Sequence, residues 1–200
     1  MRVNSLTFVL TSLLAVALII VACGGETRAE ELTNAGIDLQ EQGRFEEAIA
    51  KYDEAIRLNS QNALAYYNRG SAYTNLGQTQ RAIQDYDEAI RLDPQNVDAY
   101  VNRGVSYSEL GEYQRAVEDY DEAILLNPQD ALAYQNRGVA YSELGEIQRA
   151  VQDYSQVIRL DPTSALAFAG RAQNEAVSPA SSIGSKYRLE SIAFFFALDF

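Results

Sequence analysis

The sequence of 200 residues contains no histidine and a single cysteine, Cys23. Without an imidazole, Ser–His–Asp triads and Cys–His dyads are excluded, and one cysteine cannot form a disulfide within the chain. Ordinary zinc sites, which are built from Cys and His ligands, are excluded for the same reason. The commonest hydrolytic mechanisms are therefore absent.

Basic residues are also scarce, with 16 Lys and Arg against 28 Asp and Glu, for a net charge of −12. An acidic chain without a basic cluster is repelled by phosphate backbones, so nucleic acid is not an expected partner. No glycine-rich phosphate loop is present, since no strand or lysine accompanies Gly24 and Gly25. Carboxylates such as Asp87 and Asp121 recur at one outward repeat position, which is typical of a solvated face. We expect no enzymatic activity, no cofactor and no metal.

What the sequence does contain is a unit of 34 residues, repeated four times. Aromatic, small and proline residues stand in register from copy to copy. The sets are Tyr66, Tyr100, Tyr134 and Phe168; Gly70, Gly104 and Gly138; Tyr73, Tyr107 and Tyr141; Ala48, Ala82, Ala116 and Ala150; Tyr52, Tyr86, Tyr120 and Tyr154; and Pro94, Pro128 and Pro162.

This period and these positions resemble the tetratricopeptide repeat, a helix-turn-helix unit of the same length. The resemblance implies an all-α fold, a right-handed solenoid of four full repeats and a capping helix. The copies are 29–62, 63–96, 97–130 and 131–164, and 165–177 is a partial fifth repeat that caps the stack. The sequence departs from the family pattern by placing Arg69, Arg103 and Arg137 where a leucine is usual.

The third copy shows how the residues themselves predict two helices. Apolar residues fall at helical spacing up to Gly111, which ends the first helix, and Asn127-Pro128 ends the second. Gly104 lies inside the first helix, where glycine costs about 1 kcal/mol relative to alanine. We therefore expect a close approach of the two helices at Gly104, with Ala116 as the small residue opposite.

The three arginines each precede an aspartate by sixteen residues: Asp85, Asp119 and Asp153. In the first copy both members of the pair change, to Ala35 and Lys51. An antiparallel hairpin brings such positions level, which predicts an ion pair within each hairpin. A second interpretation, in which the arginines bind an anionic ligand, stays open.

One asparagine per repeat occupies the same place on the first helix: Asn34, Asn68, Asn102 and Asn136. In this family the first helices line a concave face, and the set resembles the asparagine ladder of the O-linked N-acetylglucosamine transferases. That resemblance implies paired hydrogen bonds to the main chain of an extended peptide, because an amide both donates and accepts. The alternative is that each Asn bonds to a neighbouring repeat and fixes the stacking.

Residues beside these asparagines are expected to set the preference for a peptide: Tyr67, Val101, Val105, Gln135 and Val139. None is basic, whereas the two-carboxylate clamp of chaperone-binding family members needs Lys and Arg. The expected partner is therefore a neutral to basic protein or peptide segment rather than an acidic chain terminus. For any one of these residues, the alternative is that it fills space between repeats.

The amino terminus contains a mostly apolar run from Leu6 to Ala22 that follows Arg2. It ends in Ile20-Val21-Ala22-Cys23, which resembles the bacterial lipobox. This implies a signal peptide at 1–22, lipid on Cys23, a short linker at 23–28, and an extracytoplasmic domain anchored to a bacterial membrane, on its periplasmic side or at the cell surface. The alternative is an uncleaved helix, but the run has 17 residues and a bilayer span needs about 20.

The repeat pattern stops after Gln173, and 178–200 has a different composition. Leu189, Ile192, Ala193 and Phe196 stand at helical spacing in this tail. Three interpretations stay open: the tail covers the last helix, it touches a membrane, or it derives from an altered reading of a longer gene.

These features predict a membrane-anchored scaffold for protein–protein interaction, acting in envelope assembly or secretion. The alternative is a substrate-presenting accessory, or a truncated targeting region, of an enzyme system. The sequence does not fix the oligomeric state.

Overall fold

The computed structural model describes residues 25–177, and every regular element within that range is an α-helix. Helix α1 covers residues 25–41. The others are α2 (Phe45–Leu58), α3 (Ala63–Asn75), α4 (Thr79–Leu92), α5 (Val97–Glu109), α6 (Tyr113–Leu126), α7 (Ala131–Glu143), α8 (Ile147–Leu160) and α9 (Ala165–Val177). The predicted signal peptide, the lipidation site Cys23 and the tail 178–200 lie outside the described residues.

The helices form two compact units, within residues 25–99 and 100–177, and α5 crosses the division. In unit 1, α3 packs against α2 and α4; in unit 2, α7 packs against α6 and α8, and α9 against α8. Within each unit, the helices that pack most extensively are thus neighbours in the chain. This confirms the predicted fold class, an all-α solenoid of helix-turn-helix repeats.

Residues 25–28 correct one expectation, because they are helical and belong to α1 rather than to a flexible linker. Ala29, which the sequence placed at the start of the first repeat, is fully buried one turn further on. The helix therefore extends beyond the predicted amino-terminal edge of the repeat.

The turns follow from local chemistry. Gly111 has a φ of 76°, which a residue with a side chain rarely adopts, so it ends the first helix of its repeat as predicted. At the next turn, Asp130 caps α7 by accepting hydrogen bonds from the backbone N–H groups of Leu132 and Ala133. Such caps satisfy amide groups that have no partner within the helix.

Each hairpin is closed by a tyrosine of the second helix that lies against a glycine of the first. A Cβ atom on Gly104 would lie 2.6 Å from Cε1 of Tyr120, and one on Gly70 would lie 2.8 Å from Cε1 of Tyr86. Both tyrosines are almost fully buried. The expected close approach at Gly104 is therefore present, but its partner is the Tyr120 ring and not Ala116.

The three predicted ion pairs are present within their hairpins: Arg69–Asp85, Arg103–Asp119 and Arg137–Asp153. Arg69 binds Asp85 in a fork, with Nε and Nη2 each 2.7 Å from a carboxylate oxygen. The sequence did not reveal a second partner, Asp53 of the preceding repeat, which lies 2.5 Å from Nη1. One guanidinium thus joins two repeats.

Unit 2 contains the same three-residue bridge, in which Arg137 binds Asp153 and, across the repeat boundary, Asp121. Asp153 is buried, whereas Asp121 is exposed. These two arginines are held by carboxylates of the chain itself, which supports a structural role rather than the anion-binding alternative.

We predict that Gly104→Ala destabilises the chain by about 1–2 kcal/mol, although alanine favours helix by about 1 kcal/mol, because the added methyl overpacks the Tyr120 ring. Gly25→Ala is the control, since a Cβ there meets nothing within 4 Å. Urea denaturation should show a lower midpoint for the first variant only. Equal midpoints would contradict the close contact.

We predict that Arg137→Leu destabilises the chain by about 3 kcal/mol, because it leaves the buried Asp153 carboxylate without its partner. Arg149→Leu, which removes an exposed pair with Glu146, should change stability by at most about 0.5 kcal/mol. The double variant Arg137→Leu/Asp153→Leu should recover most of the loss in thermal or urea denaturation.

The stability of the single variant Arg137→Leu should show a distinct pH dependence. Burial raises the pKa of Asp153, and Arg137 opposes that rise, so we expect its removal to raise the pKa further. A carboxyl whose pKa is higher in the folded state than in the unfolded state destabilises the fold increasingly as the pH rises above its pKa in the unfolded state. The difference in stability between Arg137→Leu and the wild type should therefore become smaller as the pH falls from 7 to about 4. A constant difference would contradict the role of the Asp153 charge.

Candidate binding surface

In unit 2, one side of α7 carries Leu132, Asn136, Val139 and Glu143 at steps of four, three and four residues, which places them on a single helix face. Leu132 and Val139 are large apolar side chains that remain exposed. We call the helix surface that carries the predicted asparagines the ladder face. In unit 2 it continues onto α9 at Leu166 and Gly170.

Helices α7 and α9 enclose a pocket of about 250 Å³ on this face, which we call the α7–α9 pocket. Helix α7 supplies one wall, α9 supplies the other, and Tyr154 of α8 contributes its ring. The lining residues are Val139, Ser142, Glu143, Tyr154, Leu166, Ala169, Gly170, Gln173 and Asn174.

Three polar residues of the pocket, Ser142, Tyr154 and Asn174, form hydrogen bonds with one another. Ser142 Oγ lies 3.0 Å from Asn174 Oδ1, and Asn174 Nδ2 donates to the carbonyl oxygen of Gly170 at 2.9 Å. Tyr154 hydrogen-bonds with Ser142, and its pKa is raised because the ring is buried. Within residues 25–177 no buried side-chain nitrogen or oxygen lacks a partner. The pocket thus offers a ligand mainly apolar contact.

Unit 1 also has a pocket on its ladder face. It measures about 370 Å³ and is lined by Glu30, Thr33, Asn34, Asn62 and Leu64, so four of its five lining residues have polar side chains. Asn62 Nδ2 donates a hydrogen bond to Thr33 Oγ1 at 3.0 Å. These two side chains are therefore already paired.

The four asparagines of the predicted ladder divide between the units, with Asn34 and Asn68 in unit 1 and Asn102 and Asn136 in unit 2. Asn34 is exposed, and the other three are partly buried. Asn68 Nδ2 donates to the carbonyl oxygen of Leu64 in its own helix, at 2.8 Å. This bond orients the Asn68 amide without joining it to another repeat.

The flanking residues differ in how far a partner can reach them. Val139 is 44% exposed and lines the α7–α9 pocket, while Val105 and Gln135 are partly buried. Val101 is only 4% exposed, so it belongs to the packed interior, and the contact surface proposed below excludes it. The Tyr67 ring packs 6.1 Å from the ring of Tyr86, which favours the space-filling role for Tyr67.

Sequence reasoning missed the α9 wall of the α7–α9 pocket, which is formed by Leu166, Ala169, Gly170, Gln173 and Asn174. The register contained a signal, because Gly170 stands where the earlier copies have Asn34, Asn68, Asn102 and Asn136. A Cβ at Gly170 would lie 2.7 Å from Cζ of Tyr154. Helix α9 therefore packs more closely on this ring than an asparagine would permit.

The ladder face of unit 2 is acidic. Glu143 is the only charged residue among those that line the α7–α9 pocket, and Glu109 is exposed one repeat earlier at the same register. Over residues 25–177, no group of three or more acidic side chains is arranged to hold a metal ion. In the same range, no helix combines the length and the hydropathy that a bilayer span requires.

Three solved structures show what this fold resembles. YrrB, described as a TPR protein with an unusual peptide-binding site, is 27% identical, with a TM-score of 0.67 over 72% of this chain and 75% of YrrB. The first TPR of Spaghetti (RPAP3), bound to the HSP90 peptide SRMEEVD, is 30% identical, with a TM-score of 0.56 over 58% of this chain and 93% of that chain. MamA 41-end from Desulfovibrio magneticus RS-1 shares the fold, at 21% identity and a TM-score of 0.72 over 86% of this chain and 98% of that chain.

No curated protein sequence matches the chain significantly. Family models do match: residues 33–97 match one described as Tetratricopeptide repeat, and residues 97–130 and 131–164 each match another of the same description. These matches cover about two thirds of the 200 residues. The chain therefore belongs to the tetratricopeptide repeat family.

Proposed function

We propose that this chain is a scaffold for protein–protein interaction, and that its ladder faces hold an extended segment of a partner protein. One observation carries the proposal: in unit 2, Leu132 and Val139 are exposed on the same helix face as Asn136 and Glu143. Apolar side chains that remain exposed in a row are typical of an interaction surface. The structural similarity to YrrB and to the peptide-bound RPAP3 repeat supports it.

In the proposed complex, asparagines bind the main chain of the partner and apolar residues bind its side chains. Asn102 and Asn136 both lie in unit 2, one on α5 and one on α7. A side-chain amide donates one hydrogen bond and accepts another, which matches the two groups that each residue of an extended peptide presents.

Charge sets the class of partner. The RPAP3 repeat is bound to a peptide with the acidic sequence Glu-Glu-Val-Asp at its end. Here Glu143 borders the pocket and no lysine or arginine lines it. A carboxylate at that position repels an acidic segment and attracts a basic one, so we propose a neutral to basic partner.

We also propose that Cys23 carries lipid and anchors the scaffold to a bacterial membrane as an extracytoplasmic protein, on the periplasmic side or at the cell surface. The support is the lipobox-like Ile20-Val21-Ala22-Cys23 at the end of an apolar run. Burial of acyl chains contributes about 0.8 kcal/mol per CH₂, and two or more chains hold a protein stably. Helix α1 already includes residue 25, two positions after Cys23, so the repeats would lie close to the bilayer.

We predict that Asn102→Ala/Asn136→Ala weakens binding of a peptide selected from a random 12-residue display library by at least about tenfold. Gln152→Ala is the control, because it removes an exposed amide of the same unit from α8. Isothermal titration measures the affinity, and urea denaturation measures the stability.

The two interpretations of the asparagines give opposite results in this experiment. Unchanged peptide affinity together with a lower denaturation midpoint would show that the asparagines fix the stacking of repeats. Loss of affinity at an unchanged midpoint supports the ladder.

We predict that the chain expressed in a bacterium incorporates an alkyne-labelled fatty acid and fractionates with membranes, and that Cys23→Ser abolishes both. Cys23 is the only cysteine, so no other thiol can take the label. Intact mass spectrometry supplies a second readout, since a mature chain should begin at residue 23. Labelling that survives Cys23→Ser, or a mature mass that includes Met1, would contradict the anchor.

The cellular role that we propose is envelope assembly or secretion. Crosslinking in membranes, compared between the wild type and the double asparagine variant, tests it. Envelope assembly or secretion components recovered with the wild type alone would support this role. A single modifying enzyme recovered in their place would support a substrate-presenting accessory instead.

A further inference from the structure

The α7–α9 pocket differs from the rest of the ladder face because the fifth copy changes two adjacent residues. Ala169 and Gly170 stand where the fourth copy has Gln135 and Asn136. Both line the pocket between α7 and α9, and at Gly170 the helix comes so close to the Tyr154 ring that a side chain would not fit. This pair of small residues thus distinguishes α9 from the first helix of the fourth copy.

The pocket has the dimensions and chemistry for one apolar side chain. A cavity of about 150 Å³ lined by apolar groups can hold a benzene ring, and this pocket measures about 250 Å³. Val139 and Leu166 lie at its opening, 44% and 62% exposed. Because Ser142 and Asn174 already bond to each other, an apolar group that binds in the pocket leaves neither of them without a hydrogen-bond partner.

The border of the pocket carries one formal charge, that of Glu143, since the other lining residues are uncharged. Successive side chains of an extended peptide point to opposite sides, so the residues two positions before and after a buried side chain return to its side and lie beside the opening. A lysine or arginine at such a position can approach the Glu143 carboxylate.

We propose that the α7–α9 pocket binds a leucine-sized apolar side chain of an extended partner segment, with a basic residue beside it paired to Glu143. This inference rests on the proposed function and adds the sequence chemistry that selects the partner. The asparagines contact any main chain, whereas this pocket discriminates between side chains.

The test uses ¹⁵N-labelled full chain and the acetylated, amidated heptapeptide GKSLSKG, which places a lysine two positions to each side of the leucine, and records ¹H–¹⁵N spectra. The expected result is a saturable shift of the Gly170 backbone amide and the Asn174 side-chain amide. Replacing the central leucine of the peptide by alanine should weaken binding about tenfold, and replacing both lysines by glutamate should weaken it by up to about fivefold.

Leu166→Asn tests the pocket, and Leu125→Asn is the matched control. Both leucines are exposed, at 62% and 73%, and both belong to unit 2, but Leu125 lies on α6 and outside the pocket. Neither change removes a buried side chain, so both variants should fold. We expect Leu166→Asn to weaken binding about tenfold and Leu125→Asn to leave it unchanged.

Several results would overturn the proposal. Peptide shifts confined to Asn102 and Asn136 would retain the general binding face and reject the pocket. Equal shifts at Gly170 in the wild type and in Leu166→Asn would also reject it. Gly170 shifts that follow protein concentration without peptide would identify a second copy of the chain as the occupant. Equal affinity for the lysine and glutamate peptides would remove the basic residue from the proposal.

Discussion

The contact between a buried tyrosine and a helical glycine sets the distance between the two helices of a repeat. A glycine inside a helix is unfavourable by about 1 kcal/mol, so it persists where the ring needs the space of a side chain. The hydroxyl of the same tyrosine reaches the first helix: Tyr86 Oη lies 3.1 Å from Thr74 Oγ1. Because the tyrosine fills the hairpin interior, apolar residues on the far side of the first helix, such as Leu132, stay exposed. The exposed apolar surface of the ladder face is thus a consequence of how the core is filled.

The arginine bridges fix how neighbouring repeats are aligned with each other. A buried ion pair gives little net stability, since desolvation offsets most of the attraction, but removal of one partner leaves a costly buried charge. That asymmetry explains why both positions differ in the first copy, at Ala35 and Lys51. Since the fork with Asp85 fixes Arg69 within its own hairpin, a slip between neighbouring repeats would break the bond from Arg69 to Asp53 of the preceding repeat. The bridge therefore favours one stacking arrangement over others.

The period of 34 residues was sufficient to predict the helices, their turns and the pairing of arginine with aspartate, because these depend on spacing along the chain. It did not identify the residue opposite Gly104, since spacing alone does not show which turn of a helix faces its neighbour. Asp53 was missed because only the aspartate that follows each arginine was considered. The α7–α9 pocket was beyond a periodic argument, because it arises where the period fails, at Ala169 and Gly170.

In the complex that we propose, the ladder face separates affinity from selectivity, for a reason that lies in its hydrogen bonds. Tyr154, Ser142 and Asn174 satisfy one another, so a ligand gains little by competing for them. Recognition of the partner's main chain then depends on the asparagines, which do not distinguish between side chains. Selectivity depends on the exposed apolar surface and on the sign of the nearby charge. Since Glu143 is the only charge that lines the pocket, it penalises acidic segments without requiring one particular basic sequence. A scaffold with this surface would accept a family of related partners rather than a single one.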